Sequence, residues 1–527
     1  MRTLRRSELT GTYDIAIAGS GFAGSLMAMI AKRLGYSVAL IERGTHPRVV
    51  IGESSTPLAN LLFEELCQRY DLRTLAPLAK WGSWQRTYPQ VACGLKRGFT
   101  FYHHRLGENG DPAASFETEL LVAASPHDEI GDTQWYRADV DAFLLEHARQ
   151  LNVDYFDETQ IDNVECSANG IRLAGSRHGS AFSLNASFVI DATGPRGLLH
   201  RALRLSETDL PGYPQTQALW SHFEGVTRPE DSRLGTPPYP PEDAAVHHVF
   251  DGGWIWVLRF NNGITSAGVA ATDAVAAELG FSEGESAWNR LVEAMPALQA
   301  QFSHAQAVLP FRLILRLSFL SGLVAGDRWA LLPSAAGFVD PLLSTGFPLT
   351  LLGVERMARI LEAGLDSPQL GAELGLYERC TQGEILATAR LIAALYTNMS
   401  NFAVFRALTL LYFAAASYSE TARRLQKPQL AQSFLLHDRP TFGPAMGAIL
   451  ERAAGRPQGG DATQLIEDIR RTIEPIDVAG LSGPNGRNWY PVDAEDLLNG
   501  CAKVESTRVE IESLLQRCGF FPTGQLR

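Results

Sequence analysis

Apolar positions near the start of the chain follow two periods. A β-branched and alanine-rich run begins at Tyr13, a second run covers Ser37 to Glu42, and the segment between them, up to about Leu34, has the apolar spacing of a helix. This pattern predicts a strand–helix–strand unit. Together with a later apolar run at Phe188–Asp191, it predicts a mainly parallel sheet with crossover helices.

Two longer segments between these runs also have helical spacing, Leu58–Tyr70 and Trp135–Leu151, and Gly98–His104 alternates as a strand does. The spacing turns helical again beyond Gly346, and we expect a mostly helical region from about Ser367 to the end. Within that region Gly455–Gly460 is rich in glycine and proline, which predicts a surface loop.

From residue 205 to residue 323 the pattern differs, because short strands follow one another with turn residues between them. Ala244–Phe250 and Trp254–Phe260 are the clearest, and Asn261-Asn262-Gly263 is a typical hairpin turn before Ile264–Ala271. We therefore expect a second, antiparallel sheet inserted into the first domain.

Composition narrows the class of protein. With 45% hydrophobic and 20% charged residues, the chain is neither disordered nor a coiled coil, and its net charge of -12 argues against nucleic acid as a partner. The six cysteines form no C-x-x-C pair, which gives no sign of a metal site and indicates a reducing cytoplasm. The longest uncharged apolar helical stretch, Ala407–Ser419, has 13 residues. A membrane span needs roughly 18, so we predict a soluble, cytoplasmic protein without one.

A glycine-rich turn, Gly19-Ser20-Gly21-Phe22-Ala23-Gly24, joins the first strand to the first helix. Glycines at such a turn let backbone N–H groups at the helix N-terminus approach a pyrophosphate, and an acidic residue ending the next strand, here Glu42, can bond a ribose hydroxyl. We expect this turn, Glu42 and the neighbouring Arg43 to bind a dinucleotide. The turn alone does not separate FAD from NAD.

Two later segments favour FAD. The strand Phe188–Asp191 runs into a turn containing Ala192 and Gly194, as in two-sheet flavoproteins that close this turn over the dinucleotide. Asp327 ends a possible strand where a polyol would lie, and a glycine-rich helix start around Phe338 follows. The three segments predict an α/β, two-domain, Rossmann-like FAD fold with an inserted antiparallel sheet and a mostly helical C-terminal region. Residues 1–204 and 324–366 would form the FAD-binding domain, 205–323 the antiparallel-sheet substrate domain, and 367–527 the helical region.

At Gly52-Glu53-Ser54-Ser55-Thr56-Pro57 the chain resembles the flavin-dependent halogenases, a branch of the FAD monooxygenase-like superfamily, which carry a similar segment after the first strand–helix–strand unit. Trp254-Ile255-Trp256 is similar to the W-x-W-x-I-P signature of this family, although Leu258-Arg259 replaces Ile-Pro. Asp340–Phe347 is similar to the segment that lines the flavin and holds a halide. The resemblance extends from about Tyr13 to Ile360.

The resemblance implies halogenation of an aromatic compound in secondary metabolism through hypohalous acid. It implies FAD, supplied as FADH2 by a separate flavin reductase, and chloride or bromide, held by Thr345 and Gly346. Both indoles of the tryptophan motif face one side of their strand, and they would form a partition between flavin and substrate. The implied partition residues are Trp254, Trp256, Pro57 and Ser344, and the implied flavin neighbours are Glu53, Ser54, Ser55, Arg137, Gly346 and Phe347.

Leu343 is the main departure from the tryptophan-type members, which carry a glutamate there that helps to remove the ring proton. A leucine cannot act as a base. A phenol or an electron-rich pyrrole stabilises its own cation through its heteroatom, whereas the benzene ring of indole does so poorly. The chain therefore resembles the non-tryptophan branch, and we predict an electron-rich, phenolic aromatic substrate, either free or bound to a carrier.

Two lysines are candidates for the lysine that this family places between the halide and the organic substrate. Lys80 lies at the familiar distance from the Gly52 segment, whereas Lys96 leads into an apolar-alternating strand. We favour Lys96, with the stretch between them as an insertion. Burial without a carboxylate partner would lower the pKa of such a lysine from its ordinary ~10.4.

Two other functions fit the same motifs. A flavin-dependent aromatic hydroxylase of this fold would add oxygen directly and would need no halide. A non-catalytic protein could use its helical region to dock a carrier or another partner. Adjacent His103 and His104 do not indicate a metal, because alternate residues of a strand face opposite ways.

Overall fold

The computed structural model describes residues 11–107, 116–167, 170–229, 235–483 and 487–521. Its first sheet has eight strands, in the order β18-β19-β10-β1-β2-β7, with β9 paired onto β10 and β8 paired onto β9. The ladders of β1, β2, β7, β10 and β19 are parallel. The strands are β1 (Thr12–Ala18), β2 (Val38–Ile41), β7 (Asp154–Phe156), β8 (Thr159–Ser167), β9 (Gly170–Arg177), β10 (Ser180–Asp191), β18 (Ala325–Gly326) and β19 (Trp329–Leu331).

A second sheet has nine strands in the order β15-β11-β14-β13-β12-β4-β5-β21, with β16 paired onto β11. These strands are β4 (Gly98–His103), β5 (Glu119–Ala123), β11 (Thr216–Glu224), β12 (Ala245–Phe250), β13 (Gly253–Arg259), β14 (Thr265–Thr272), β15 (Gln306–Ala307), β16 (Arg312–Ile314) and β21 (Trp489–Tyr490). Two small ribbons complete the strands: β3 (Cys93–Lys96) with β6 (Asp132–Trp135), and β17 (Phe319–Leu320) with β20 (Gly337–Phe338).

Helices pack against both sheets and form most of the chain after residue 346. They are α1 (Phe22–Arg33), α2 (Pro57–Arg69), α3 (Trp81–Thr87), α4 (Arg137–Gln150), α5 (Leu198–Ala202), α6 (Asp273–Glu278), α7 (Glu285–Glu293), α8 (Pro296–Phe302), α9 (Pro333–Ala336), α10 (Gly346–Ala363), α11 (Leu370–Thr397), α12 (Phe402–Arg424), α13 (Phe442–Ala454), α14 (Gly459–Ile473), α15 (Ala494–Asn499) and α16 (Arg508–Arg517). The predicted α/β fold with a helical C-terminal region is confirmed.

The predicted strand–helix–strand unit is present as β1, α1 and β2. The helix predicted over Trp135–Leu151 begins later, because Trp135 ends strand β6 and Tyr136 is extended before α4. Trp135 is buried against Phe22, Phe63, Trp84 and Phe347, which explains why its apolar character continued the helical pattern.

The second sheet extends beyond residues 205–323. Strands β4 and β5 come from earlier in the chain and β21 from the C-terminal region. The β4–β12 and β5–β21 ladders are parallel, whereas the predicted hairpin strands β13 and β14 are antiparallel. The sheet is therefore mixed, and its strands come from three separate parts of the chain.

Helix α12 is long and apolar enough to cross a membrane by length and composition alone. It is longer than the predicted stretch Ala407–Ser419, and 72% of its most apolar window is buried inside the protein. Its buried residues join those of α2 and α14 in the main core, so it packs as a core helix. The predicted surface loop Gly455–Gly460 is short, since α14 already begins at Gly459.

Candidate active site

Two cavities lie on either side of Lys96. The flavin-side cavity, of about 720 Å³, lies at the carboxyl ends of β1, β10 and β19, where ligands bind in open α/β sheets. The outer cavity, of about 190 Å³, lies between α2, β5 and the helices near the end of the chain. Residues predicted to contact the cofactor line the flavin-side cavity: Gly21, Phe22, Ala23, Glu53, Ser54, Arg137, Ala192, Gly194, Phe338, Gly346 and Phe347.

The N-terminus of α1 fits the pyrophosphate of a dinucleotide. The helix has no acidic residue in its first turn, and Gly21 caps it without a side-chain hydrogen bond. A Cβ built on Gly21 would lie 3.2 Å from Arg48 Nη2, 3.5 Å from Arg137 Nη2 and 3.5 Å from Oδ2 of Asp141, the carboxylate that pairs with Arg137. The helix dipole and the Arg48 guanidinium therefore favour an anion at one point.

Gly19 and Gly24 lie where a side chain would clash with neighbouring backbone atoms. Gly19 has a φ of +94°, and a Cβ there would lie 2.6 Å from the carbonyl oxygen of Ala192. A Cβ on Gly24 would lie 1.9 Å from the carbonyl oxygen of Gly19. These glycines let α1 start directly against the turn, as the motif requires.

Glu42 directly follows β2 and is a buried hydrogen-bond acceptor. Its Oε2 accepts hydrogen bonds of 3.1 Å from both the backbone N–H and the hydroxyl of Ser20, and it lies 3.4 Å from Arg48. Burial acts to raise the pKa of Glu42, but Arg48 and the N–H groups of Ser20 and Gly44 lower it overall. The prediction that Arg43 joins this site is not supported, because Arg43 is exposed and Arg48 lines the cavity instead.

Asp327 is the other correction. It is exposed in the turn between β18 and β19, at the start of β19. Because the cavity lies at the carboxyl ends of the parallel strands, a residue at the start of β19 is at the wrong end of the sheet. Pro333 and Ser334, which follow β19, line the cavity at the place expected for Asp327.

Arg137 lies at the start of α4 and fits its predicted place. It pairs with Asp141 through hydrogen bonds of 2.8 and 2.9 Å and donates one of 2.9 Å to the carbonyl oxygen of Gly52. Its guanidinium carbon is 5.0 Å from the centre of the Phe22 ring. Arg137 thus ties the Gly52 segment to α4 and brings positive charge to the flavin-side cavity.

The turn before α10 has left-handed backbone at two residues that are not glycine. The φ of Leu343 is 64° and that of Ser344 is 55°, a conformation that costs roughly 1–3 kcal/mol each. The Tyr412 hydroxyl donates to the carbonyl oxygen of Leu343 at 3.0 Å, and Ser344 donates to Ser54 Oγ at 2.9 Å. This turn, residues 341–346, is named the halide turn for the role that the resemblance implies, and it starts α10 with Thr345 and Gly346 on the cavity wall.

Lys96 is fully buried between the two cavities. Its Nζ donates to Ser54 Oγ at 2.9 Å, to the carbonyl oxygen of Ser55, and more weakly to Ser344 Oγ at 3.5 Å. On its other side Nζ is 3.7 Å from the centre of the Phe99 ring. Because Ser54 and Ser344 line the flavin-side cavity and Phe99 lines the outer cavity, Lys96 separates the two.

Lys80 has a different environment. It is partly exposed at the N-terminus of α3. It lines the outer cavity but not the flavin-side cavity. The geometry therefore favours Lys96 as the lysine between halide and substrate. The carbonyl oxygen of Ser55 accepts a hydrogen bond from Lys96, and the buried hydroxyl of Ser55 donates to the carbonyl oxygen of Thr133 at 2.8 Å.

The two indoles of the tryptophan motif lie on the flavin side. Trp254 and Trp256 line the flavin-side cavity with ring centres 5.7 Å apart, and Trp254 donates to Asp340 at 3.2 Å. His247, which lines the same cavity, has its ring centre 5.2 Å from that of Trp254 and stacks on Phe101 at 4.5 Å. Of the other two predicted partition residues, Ser344 lies on the flavin side and Pro57 on the outer side.

The departure from the tryptophan signature leaves the strand intact. Strand β13 continues through Leu258 to Arg259, whose guanidinium pairs with Glu242 at 2.8 Å. Leu258 lines the flavin-side cavity. The replacement of Ile-Pro therefore extends the strand and adds a buried ion pair at its end.

The outer cavity is mainly apolar and takes much of its wall from the helical region. Asn60, Glu64 and Asp132 lie on one side, and the pair Glu420–Arg424, at 2.8 Å, lies on another. Its apolar and aromatic lining includes Leu58, Phe99, Tyr412, Phe413, Phe434, Leu481, Tyr490, Leu514, Leu515 and Phe520. A small, largely apolar ring compound suits this composition.

Lys96 and Asp132 form a buried, electrostatically coupled pair. Burial lowers the pKa of Lys96, and Asp132 opposes that shift. Burial raises the pKa of Asp132, and Lys96 opposes that shift in turn. The charge of each side chain thus opposes the effect of burial on the pKa of the other.

The adjacent histidines do not form a metal site with other residues. His104 Nε2 is 2.8 Å from Nδ1 of His248, while His103 stacks on Phe402. Over the described ranges, the structure has no group of three or more His, Cys, Asp or Glu residues that could hold a metal ion.

Sequence reasoning missed several residues of the site. Arg48 had a weak signal, a cation a few positions after the strand that ends at Glu42. Asp132, Asn60 and His247 had none, because their proximity to Lys96 arises from strands and helices that are distant along the chain.

A parallel sheet with a glycine-rich turn, a second sheet and a cavity at the strand ends define a two-sheet FAD-binding fold. The tryptophan halogenase family model matches residues 134–403, about half of the chain. The chain belongs to this family, and the predictions of a flavin-dependent halogenase and of FAD as its cofactor are confirmed.

Curated relatives and a solved structure are similar to the chain. The monodechloroaminopyrrolnitrin halogenase PrnC of Pseudomonas fluorescens is 29% identical over 398 residues, which are 74% of this chain and 69% of that protein. The tetracycline 7-halogenase of Kitasatospora aureofaciens is 28% identical, over 77% of this chain and 73% of its own. The crystal structure of halogenase PltM with phloroglucinol and FAD has a TM-score of 0.78 at 22% identity, covering 91% of this chain and 99% of its own.

Proposed function

We propose that this enzyme halogenates an electron-rich aromatic ring, a phenol, with Lys96 delivering the halogen. The observation that carries the proposal is the place of Lys96, whose Nζ contacts Ser54 and Ser344 on the flavin side and Phe99 on the outer side. A reagent made in one cavity and used in the other would pass this amine.

The residues of the flavin-side cavity would hold FAD as follows. Gly21, Arg48 and Arg137 would bind the pyrophosphate, and Glu42 would accept from the ribose. When bound in its reduced form, the flavin supplies, with oxygen, the oxidising power that turns halide into hypohalous acid. We propose that a separate flavin reductase delivers this reduced flavin and that the enzyme works in the cytoplasm.

The chain itself would position the halide and the halogen. Backbone N–H groups at Thr345 and Gly346 start an 18-residue helix, and an anion is stabilised there. In its ammonium form Lys96 would donate a hydrogen bond to the oxygen of hypohalous acid, which makes the halogen more electrophilic. The tryptophan wall would keep the substrate ring away from the flavin.

The substrate class rests on the residues around the halide turn and the outer cavity. Leu343 is buried where tryptophan-type members carry a glutamate, so the ring must stabilise its own cation. The outer cavity is mainly apolar, which suits an aromatic ring. Among relatives, one is named for a pyrrole bound to a peptidyl-carrier protein, so a free or a carrier-bound substrate is compatible with the family.

The test is an incubation of the purified protein with FAD, a flavin reductase, NADH, oxygen and an electron-rich phenol, with chloride or bromide varied. Mass spectrometry should show a halogen isotope pattern for the wild type and for Lys80→Ala, and no such product for Lys96→Ala. All three proteins should bind FAD equally, which controls for folding.

Two outcomes would contradict the proposal. Addition of oxygen without any dependence on halide would identify a hydroxylase instead. Strong chlorination of free tryptophan on its benzene ring, with phenols left untouched, would overturn the assigned substrate class.

A further inference from the structure

Asp132 is the cross-strand neighbour of Lys96. The two residues are directly paired in the antiparallel ribbon of β3 and β6, so both side chains leave the same face with their Cβ atoms about 4.5–5.5 Å apart. Asp132 also lines the outer cavity, where the substrate ring would lie. A carboxylate at this position would lie close to the ring carbon to which Lys96 delivers the halogen.

One carboxylate oxygen of Asp132 accepts a hydrogen bond, and the other accepts none from the described residues. Asn60 Nδ2 donates to Oδ1 at 2.8 Å, which fixes the orientation of the carboxylate. Oδ2 is buried and has no hydrogen-bond partner among the described residues. A buried acceptor without a partner is costly, and a proton or a donor from a ligand would satisfy it.

The reaction itself requires a proton acceptor. When a ring carbon gains a halogen, the same carbon must lose its proton before aromaticity returns. Leu343 cannot take that proton. Glu420, another carboxylate of the outer cavity, is already paired with Arg424 at 2.8 Å.

We infer that Asp132 accepts the proton that leaves the substrate ring, an inference that rests on the proposed function. The C–X bond forms as the O–X bond of hypohalous acid breaks, and the departing hydroxide takes a proton from the Lys96 ammonium to become water. The ring C–H bond then breaks, and its proton goes to Asp132. Transfer of that proton from Asp132 to Lys96 restores both groups, so the sum is aromatic C–H and hypohalous acid giving aromatic C–X and water.

The surroundings of Asp132 support a basic carboxylate. It faces Lys96 from β3, Asn60 from α2, and the charges of Glu420 and Arg424 from α12. Burial raises the pKa of Asp132, and Glu420 adds to that shift, whereas Lys96, Asn60 and Arg424 oppose it. Such a carboxylate binds a proton more strongly than an exposed aspartate and can still pass it to Lys96.

The experiment compares wild type, Asp132→Asn, Asp132→Glu and the control Glu146→Gln, which changes an exposed carboxyl group on α4, away from both cavities. Each protein receives FAD, reductase and halide with either ring-protium or ring-deuterated phenol, in separate incubations at saturating phenol. We expect Asp132→Asn to lower kcat by about 100-fold, the usual size of a lost general base. Its kcat should also be lower with the deuterated phenol than with the protium phenol, because breaking the C–H bond becomes the slow step.

Wild type and Glu146→Gln should turn over the two isotopologues at equal kcat, and Asp132→Glu should recover part of the rate. Flavin binding and unfolding curves identify any variant that fails to fold. Unchanged turnover by Asp132→Asn, or slower turnover with no isotope effect on kcat, would overturn the role of Asp132 while leaving halogenation intact. Failure of the wild type to halogenate any phenol would instead remove the proposed function on which the inference rests.

Discussion

Lys96 Nζ lies 3.5 Å from the hydroxyl of Ser344, a residue 248 positions later in the chain. Ser54 joins the two, since it accepts from Lys96 at 2.9 Å and from Ser344 at 2.9 Å. Ser344 has left-handed backbone in the halide turn. The group proposed to deliver the halogen and the turn proposed to hold the halide therefore share one hydrogen-bond network, and a change in either should be felt by the other.

Tyr412→Phe should weaken halide binding. The hydroxyl of Tyr412 holds the carbonyl oxygen of Leu343 at 3.0 Å, and loss of such a bond costs about 1 kcal/mol. We expect the KM for chloride to rise several-fold with little change in the affinity for FAD, measured by steady-state kinetics and flavin titration. Tyr418→Phe is the matched control, because it removes a hydroxyl of the same helix that donates to the carbonyl oxygen of Lys503, away from the halide turn. An equal rise in KM for both variants would argue against a specific effect on the halide turn.

Arg48→Ala should weaken FAD binding, whereas Arg43→Ala should not. Arg48 lies beside Gly21 and Glu42 at the start of α1, while Arg43 is exposed. Loss of a charge-assisted contact to phosphate costs about 1.5–3 kcal/mol, so the Kd for FAD should rise about tenfold or more. Fluorescence quenching of the flavin measures this directly. Equal affinities for the two variants would mean that the pyrophosphate lies elsewhere.

His247→Gln should make stability less sensitive to acid. Burial, with a smaller contribution from Lys96, lowers the pKa of His247 to about 3, whereas the unfolded histidine titrates near ~6.5. As pH falls below 6.5 the unfolded chain binds a proton that the folded chain does not, so the free energy of unfolding decreases. Between pH 6.5 and pH 5 the wild type should lose about 2 kcal/mol more than the variant.

Urea unfolding at several pH values tests this difference. His178→Gln is the control, since the side chain of His178 is largely exposed. A wild type and a His247→Gln variant with parallel pH profiles would show that His247 becomes charged in the folded state well above pH 3.

The parts of the fold that were predictable are local in sequence. The turn from Gly19 to Gly24 can be recognised from consecutive residues. At Gly19 and Gly24 the backbone lies so close to its neighbours that a Cβ would clash, so glycine is required there. The two indoles of Trp254 and Trp256 were predictable for the same reason, since alternate residues of one strand share a face.

The wrong predictions concern features that depend on contacts between segments far apart in the sequence. Asp327 follows a glycine as expected for a polyol site, but which end of a strand faces the cavity depends on the direction of the strand in the sheet. Trp135 continued an apolar pattern without being helical, because tertiary contacts bury it at the end of β6. The pairing of Lys96 with Asp132 depends on the register of two strands separated by more than thirty residues, which no single-sequence pattern reports.

The helical region supplies residues such as Tyr412, Tyr490 and Leu515 to the outer cavity, and β21 adds a strand to the second sheet. The family match, by contrast, ends at residue 403. Exchange of the whole tail between relatives would therefore cut through a shared sheet and a shared core. Changes in substrate scope are better sought by point substitution on the cavity-facing sides of α12 and α16, where the choice of ring can be altered without dismantling the scaffold that oxidises the halide.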